Sequence, residues 1–195
     1  MMILLQVLKP LQIFNDIAGR LGRALSVGAL ALMVVVILLQ VFFRYVLNSA
    51  MPWPDEAARF MMLWLTGLMA PIALRQGGFV AIDTIAKAIP RRAFEVLSLG
   101  LFLLSLLVSV IALQLGWKHV NSGWLFASAS LKLPLQLIGL KAMKIKLAWM
   151  YLSLFTGACL MLAVNVELIL RQVITLANQA DKLRPLSNLD LQGSE

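Results

Sequence analysis

A chain of 195 residues that is 61% apolar and only 13% charged has too little polar surface for an ordinary soluble domain. Its mean hydropathy is +0.89. The net charge of +8 would suit a nucleic-acid partner, but the lysines and arginines lie between apolar runs and form no single basic face. They are therefore topology signals, and no nucleic acid is expected.

Along residues 1–23, Leu4, Val7, Leu8, Leu11, Phe14, Ala18 and Leu21 recur at helical spacing, with Gln6, Lys9, Gln12, Asp16 and Arg20 on the opposite side. This predicts an amphipathic arm in the membrane interface, bent at Pro10. The alternative is an early extension of the first span. Gln6, Lys9 and Pro10 break the opening apolar run and no early basic region precedes it, so no cleavable signal is expected.

Four runs then reach the roughly 20 helical residues that a bilayer core requires. They are Ala24–Phe43, Ala57–Leu74, Phe94–Trp117 and Leu147–Leu170. The expected fold class is an all-α membrane protein of four transmembrane helices plus interfacial amphipathic helices. The domains are the arm 1–23, the bundle 24–170 and a polar tail 171–195. Pro54 in the turn-rich loop Asn48–Pro54 suits the first turn of helix 2, where its missing amide costs nothing. Asp55 and Glu56 then meet the positive end of that helix. After Arg75, Gly77-Gly78 forms a turn, and Phe79, Ile82, Ile85 and Ile89 line a second interfacial helix ended by Pro90.

The third span carries Ser98, Ser105, Ser109, Ala112 and Gly116 on one stripe, and the fourth carries Ser153 and Gly157. Small side chains at these positions invite close helix packing. Residues 124–146 mix leucines with Lys132, Lys141, Lys144 and Lys146, a segment expected to lie on the membrane surface. An even number of spans puts both termini on one side. With that side cytoplasmic, ten cationic residues lie inside and seven outside, a bias toward cytoplasmic termini.

Catalysis finds no support. His119 is the only histidine and Cys159 the only cysteine, which excludes bis-histidine haem ligation and an intrachain disulfide. Gly77-Gly78 is a turn, not a phosphate cradle. The interiors of the first and third spans hold no carboxylate for proton or cation binding. Glu167, near the end of the fourth, is placed to pair with Arg171 one turn later. A stand-alone carrier or channel, or an assembly subunit of another membrane complex, remain as alternatives.

The densest signal is a charged cluster at the mouths of spans one and two. Asp55 and Glu56 stand four and three residues before Arg59, Arg44 can reach the same carboxylates, and Glu56 shares its face with Gly67. This reads either as a network pinning the two helices or as a contact with a partner subunit or lipid headgroup. Arg44-Tyr45-Val46-x-Asn48, Trp53-x-Asp55-Glu56-x-x-Arg59, Trp64, Gly67, Ala73-x-Arg75 and Gly78-x-Val80-x-x-Asp83 resemble the small permease subunit of tripartite ATP-independent periplasmic (TRAP) transporters. The stretch Ile145-x-Leu147-Ala148-Trp149-Met150-Tyr151 before Gly157 is similar to the start of that family's last span. Phe79 departs from a frequent histidine and Phe155 from a frequent proline.

The resemblance implies a non-catalytic inner-membrane subunit without a cofactor of its own. Its implied partners are a large permease subunit, which binds sodium and substrate, and a periplasmic solute-binding protein that delivers an organic anion; membrane lipids surround it. Arg44, Asn48, Trp53, Asp55, Glu56, Arg59, Trp64 and Gly67 would fix helix geometry and the partner interface, while Arg75 and Asp83 would order the inner turn. Lys132, Lys141, Lys144 and Lys146 face headgroups or receive the binding protein.

Overall fold

The computed structural model describes residues 2–49, 51–76, 90–133 and 143–177. Four long helices dominate: α1 (Met2–Tyr45), α2 (Trp53–Arg75), α3 (Arg91–Gly123) and α4 (Ala148–Leu176). All four are long and apolar enough to cross a membrane. The expected fold class is borne out. The interfacial helix expected over 79–89, Asp83 and the tail beyond residue 177 lie outside the described residues.

The arm and the first span form one helix, continuous through Pro10. Its 44 residues extend roughly 66 Å, about twice the hydrocarbon thickness of a bilayer. The buried positions on α1 are Leu8, Gln12, Asn15, Gly19, Gly22, Ser26 and Val36. Half-buried Ala29, Met33, Gln40 and Phe43 complete the same three-and-four spacing, a heptad seam that keeps one side of a long helix against its neighbours. In the arm this seam falls on Gln12 and Asn15, while Val7, Phe14 and Leu21 of the apolar stripe point outward. An outward apolar stripe is what a helix surrounded by lipid presents.

Helix α2 packs on both α1 and α4, and α3 packs on α4. The α2–α4 crossing is a backbone contact. A Cβ placed on Gly67 would stand 2.5 Å from the Ser153 carbonyl oxygen, and one on Gly157 would stand 2.7 Å from the Gly67 carbonyl oxygen. The small residues noted in the sequence therefore mark the place where two helices touch with no side chain between them. On the other side of α4, Asn165 Nδ2 donates to Ser109 Oγ at 3.1 Å, and Ser109 in turn donates to the Ser105 carbonyl. Phe155 packs against Gly116 and lies 5.3 Å from the Trp117 ring.

The segment expected merely to lie on the surface contains a hairpin, β1 (Ala127–Leu133) and β2 (Met143–Lys146), paired antiparallel. Five residue steps of β1 between Ala127 and Lys132 face two of β2 between Lys146 and Lys144, so the ladder bulges there. Ser128 Oγ accepts a hydrogen bond from the Leu131 amide at 2.8 Å inside the bulge. Such irregularities re-aim side chains, and here they turn Ser130 toward α2.

The packing makes a direct prediction. Gly67→Val overpacks the crossing and destabilises the purified protein by about 3 kcal/mol, read as a lowered melting temperature in detergent. Gly28→Ala and Gly100→Ala, whose added methyls meet nothing within 4 Å, leave that temperature unchanged or slightly raised.

Candidate functional site

Polar side chains gather at the two ends of the bundle. At one end, Glu167 of α4 is fully buried, with 0% of its surface exposed. A lone carboxylate there would be prohibitively costly, so its partners decide whether the site is stable. Arg75, the last residue of α2, grips it with two parallel bonds: Nε to Oε2 at 2.9 Å and Nη2 to Oε1 at 3.1 Å. Asn15 Nδ2 of α1 adds a bond to Oε2 at 2.7 Å, and Arg171 Nε one turn along α4 adds a bond to Oε1 at 3.1 Å. Each Glu167 oxygen thus accepts two hydrogen bonds, which fills the lone-pair capacity of a carboxylate.

Arg75 also reaches Asp16 on α1, Nη1 to Oδ1 at 2.6 Å. Two arginines and two acids make the hub electrically neutral, and it joins α1, α2 and α4. The planar fork of arginine is what allows one residue to serve two carboxylates on different helices. A lysine could not reproduce this geometry.

At the other end, Glu56 clasps the hairpin. Its Oε2 accepts from the Ser130 amide at 2.8 Å and also from the Ser130 hydroxyl. The carboxylate sits in the first turn of α2, where the helix end favours negative charge, and its partners come from the bulged strand. Asp55, its neighbour, turns the opposite way and accepts from Gln40 Nε2 of α1 at 2.9 Å. Asn48 adopts a left-handed backbone (φ 47°), a conformation asparagine tolerates, and Ser49 then donates back to the Phe43 carbonyl at 3.0 Å.

The sequence-predicted residues are thus divided. Asp55 and Glu56 do stitch helix α2 to its surroundings, but through Gln40 and Ser130; among the described residues neither forms an ion pair with Arg59, which is exposed. Arg44 is exposed, with its guanidinium 5.9 Å from the Tyr45 ring centroid. Trp53 is exposed and donates to Met51 Sδ at 3.2 Å; Trp64 is half-buried and Gly67 lies in the α2–α4 crossing. Arg75 belongs to the buried hub, and the inner turn it is expected to order lies outside the described residues. Lys144 and Lys146 are exposed on β2, Lys132 pairs with Lys144 in register, and Lys141 lies outside the described residues.

Sequence reasoning missed Asn15 and Asp16, and gave Glu167 only the local partner Arg171. The signal was available in the topology: the arm of α1, the end of α2 and the end of α4 share one side of an even-spanned bundle. Among the described residues, no group of three or more His, Cys, Asp or Glu is placed to hold a metal ion.

Four apolar helices whose buried charges are spent on one another define a multi-pass helical membrane protein. Residues 33–175 match the family described as tripartite ATP-independent periplasmic transporters, DctQ component, and the chain belongs to that family of TRAP small permease subunits. It is 25% identical over 158 residues to the sialic acid TRAP transporter small permease protein SiaQ of Vibrio cholerae, covering 80% of this chain and 84% of that protein. It is also 25% identical over 93 residues to a protein of Haemophilus influenzae named as a TRAP transporter small permease, covering 48% of this chain and 58% of that one. The chain is therefore a component of a transporter with a large permease and a binding protein as its family partners.

Two outcomes follow for the polar ends. Glu167→Gln removes the carboxylate that Arg75 and Arg171 share, leaving Arg75 only Asp16, and costs about 3–5 kcal/mol in unfolding of the purified chain, whereas Asp16→Asn, at the more exposed edge of the hub, costs less than about 1 kcal/mol. Glu56→Ala raises amide hydrogen exchange over residues 127–133 while the α2–α4 crossing stays protected.

Proposed function

We propose that this chain is the non-catalytic small subunit of a sodium-coupled importer, bracing the large permease in the bacterial inner membrane with both termini in the cytoplasm. The large subunit would bind sodium and an organic anion, which a periplasmic binding protein delivers. One observation carries this reading: the fully buried Glu167 carboxylate has all its acceptor capacity occupied by Asn15, Arg75 and Arg171. A carboxylate so engaged has no lone pair left to coordinate sodium. Such a bundle supports a neighbour that moves; it does not carry cargo through itself.

The arm 1–23 extends the brace beyond the hydrocarbon on the cytoplasmic side, and the polar tail follows α4 on that same side. Arg44, Trp53, Arg59 and Trp64 stand at the α2 mouth or along its face, where the partner interface is proposed. The lysines of the hairpin segment add positive charge on the periplasmic side, which attracts acidic headgroups and an acidic binding protein alike.

Reconstituted vesicles test the division of labour. With a sodium gradient and binding protein present, the large and small subunits together are expected to take up substrate, and this chain alone to give none. In the assembled complex, Glu56→Ala lowers assembly or uptake but leaves the ranking of accepted substrates unchanged. Flux through the chain alone, or a changed substrate ranking, would contradict the reading.

A further inference from the structure

A cavity of about 450 Å³ opens between the end of α1 and the start of α2, lined by Gln40, Arg44, Met51, Pro52 and Asp55. Its size falls within the roughly 300–1,000 Å³ of small-molecule sites. It contains a guanidinium and a carboxylate that do not bond to each other: among the described residues, neither Arg44 nor Asp55 forms an ion pair. Gln40 gives its amide to Asp55 Oδ1, which leaves Asp55 Oδ2 and Gln40 Oε1 as acceptors. The Arg44 guanidinium lies against the Tyr45 ring, a contact that uses none of its N–H donors and leaves them for a ligand.

Opposite charges that share a cavity but stay apart match a ligand carrying both signs a few ångströms from each other. The cavity also sits where one apolar helix ends and the next begins, beside exposed Tyr45, Val46, Leu47 and Trp53, the kind of place where spanning helices meet headgroups. We propose that it holds the headgroup of a zwitterionic aminophospholipid, its primary ammonium on Asp55 and Gln40 and its phosphate on Arg44. The acyl chains then run down the exposed apolar residues of α1 that stand beside Arg44 at three-and-four spacing, Val41, Ile37 and Val34. A primary ammonium has three N–H donors to offer the two free acceptors. A quaternary choline donates none, and a glycerol headgroup brings no positive charge to Asp55.

Native mass spectrometry of the purified, delipidated chain with phosphatidylethanolamine, phosphatidylcholine or phosphatidylglycerol of matched acyl chains tests this. The expected result is about tenfold greater retention of phosphatidylethanolamine than of either other lipid. Arg44→Gln and Asp55→Asn should each reduce that retention to the phosphatidylcholine level, while Arg44→Lys and Asp55→Glu, which keep the charges, retain most of it and show that the loss is not unfolding. Equal retention of all three lipids would overturn the proposal, as would strongest binding of phosphatidylglycerol enhanced by Asp55→Asn, which marks a purely anionic-lipid site. Binding of water-soluble glycerophosphoethanolamine as tight as that of the lipid would show that the acyl chains contribute nothing and assign the cavity to a free small molecule. Loss of the lipid on copurification with the large permease would assign it to a protein contact, and either result overturns the lipid assignment.

Discussion

The carboxylate of Glu167 sets the terms for this bundle. A charge with no exposed surface, inside helices that cross lipid, persists only if every one of its acceptor positions is filled. Filling them requires Asn15 from α1, Arg75 from the end of α2 and Arg171 from its own helix to arrive together. A slide of α2 by one residue would lift Arg75 away from Glu167 and Asp16 and leave Glu167 with Arg171 alone for counter-charge. The ion pair therefore acts less as a source of stability than as a gauge of register, penalising every arrangement but one.

Helix α2 is pinned at three levels. Arg75 fixes its last residue, Gly67 locks its middle against the α4 backbone, and Glu56 ties its first turn to the hairpin. The rise from Glu56 to Arg75 is roughly 28 Å of helix, close to the thickness of the hydrocarbon core. Polar fixings thus lie near the two boundaries and a dry, small-residue contact lies between them. This distribution follows from the solvent: hydrogen-bonded charge is least costly near the headgroups, while in the apolar centre close packing is the available adhesive.

Much of this architecture is legible in the amino-acid sequence. Four apolar runs mark the helices, Pro54 with Asp55 and Glu56 marks the start of α2, and Ser153 with Gly157 marks a close contact. The alternation Ala127-Ser128-Ala129-Ser130-Leu131-Lys132-Leu133 carries a strand period as well, but the surrounding leucines and lysines mask it. The hub is less accessible because its members are spread from residue 15 to residue 171, and local spacing rules reach only one helical turn. Among the described residues, the acidic partners of Arg75 are 59 and 92 residues away. The family match begins at residue 33, so Asn15 and Asp16 lie outside the matched residues while completing a site that includes them.

A brace and a carrier differ in whether sodium has a ligand on this chain, and thermal unfolding of the isolated protein reads that difference directly. Replacing potassium by sodium at constant ionic strength stabilises any state that binds sodium selectively, in proportion to the logarithm of one plus the ratio of sodium to its dissociation constant. With Glu167 fully engaged, the melting temperature is expected to be the same in both salts across the whole titration. A sodium-specific rise in melting temperature that grows with sodium concentration would contradict the account.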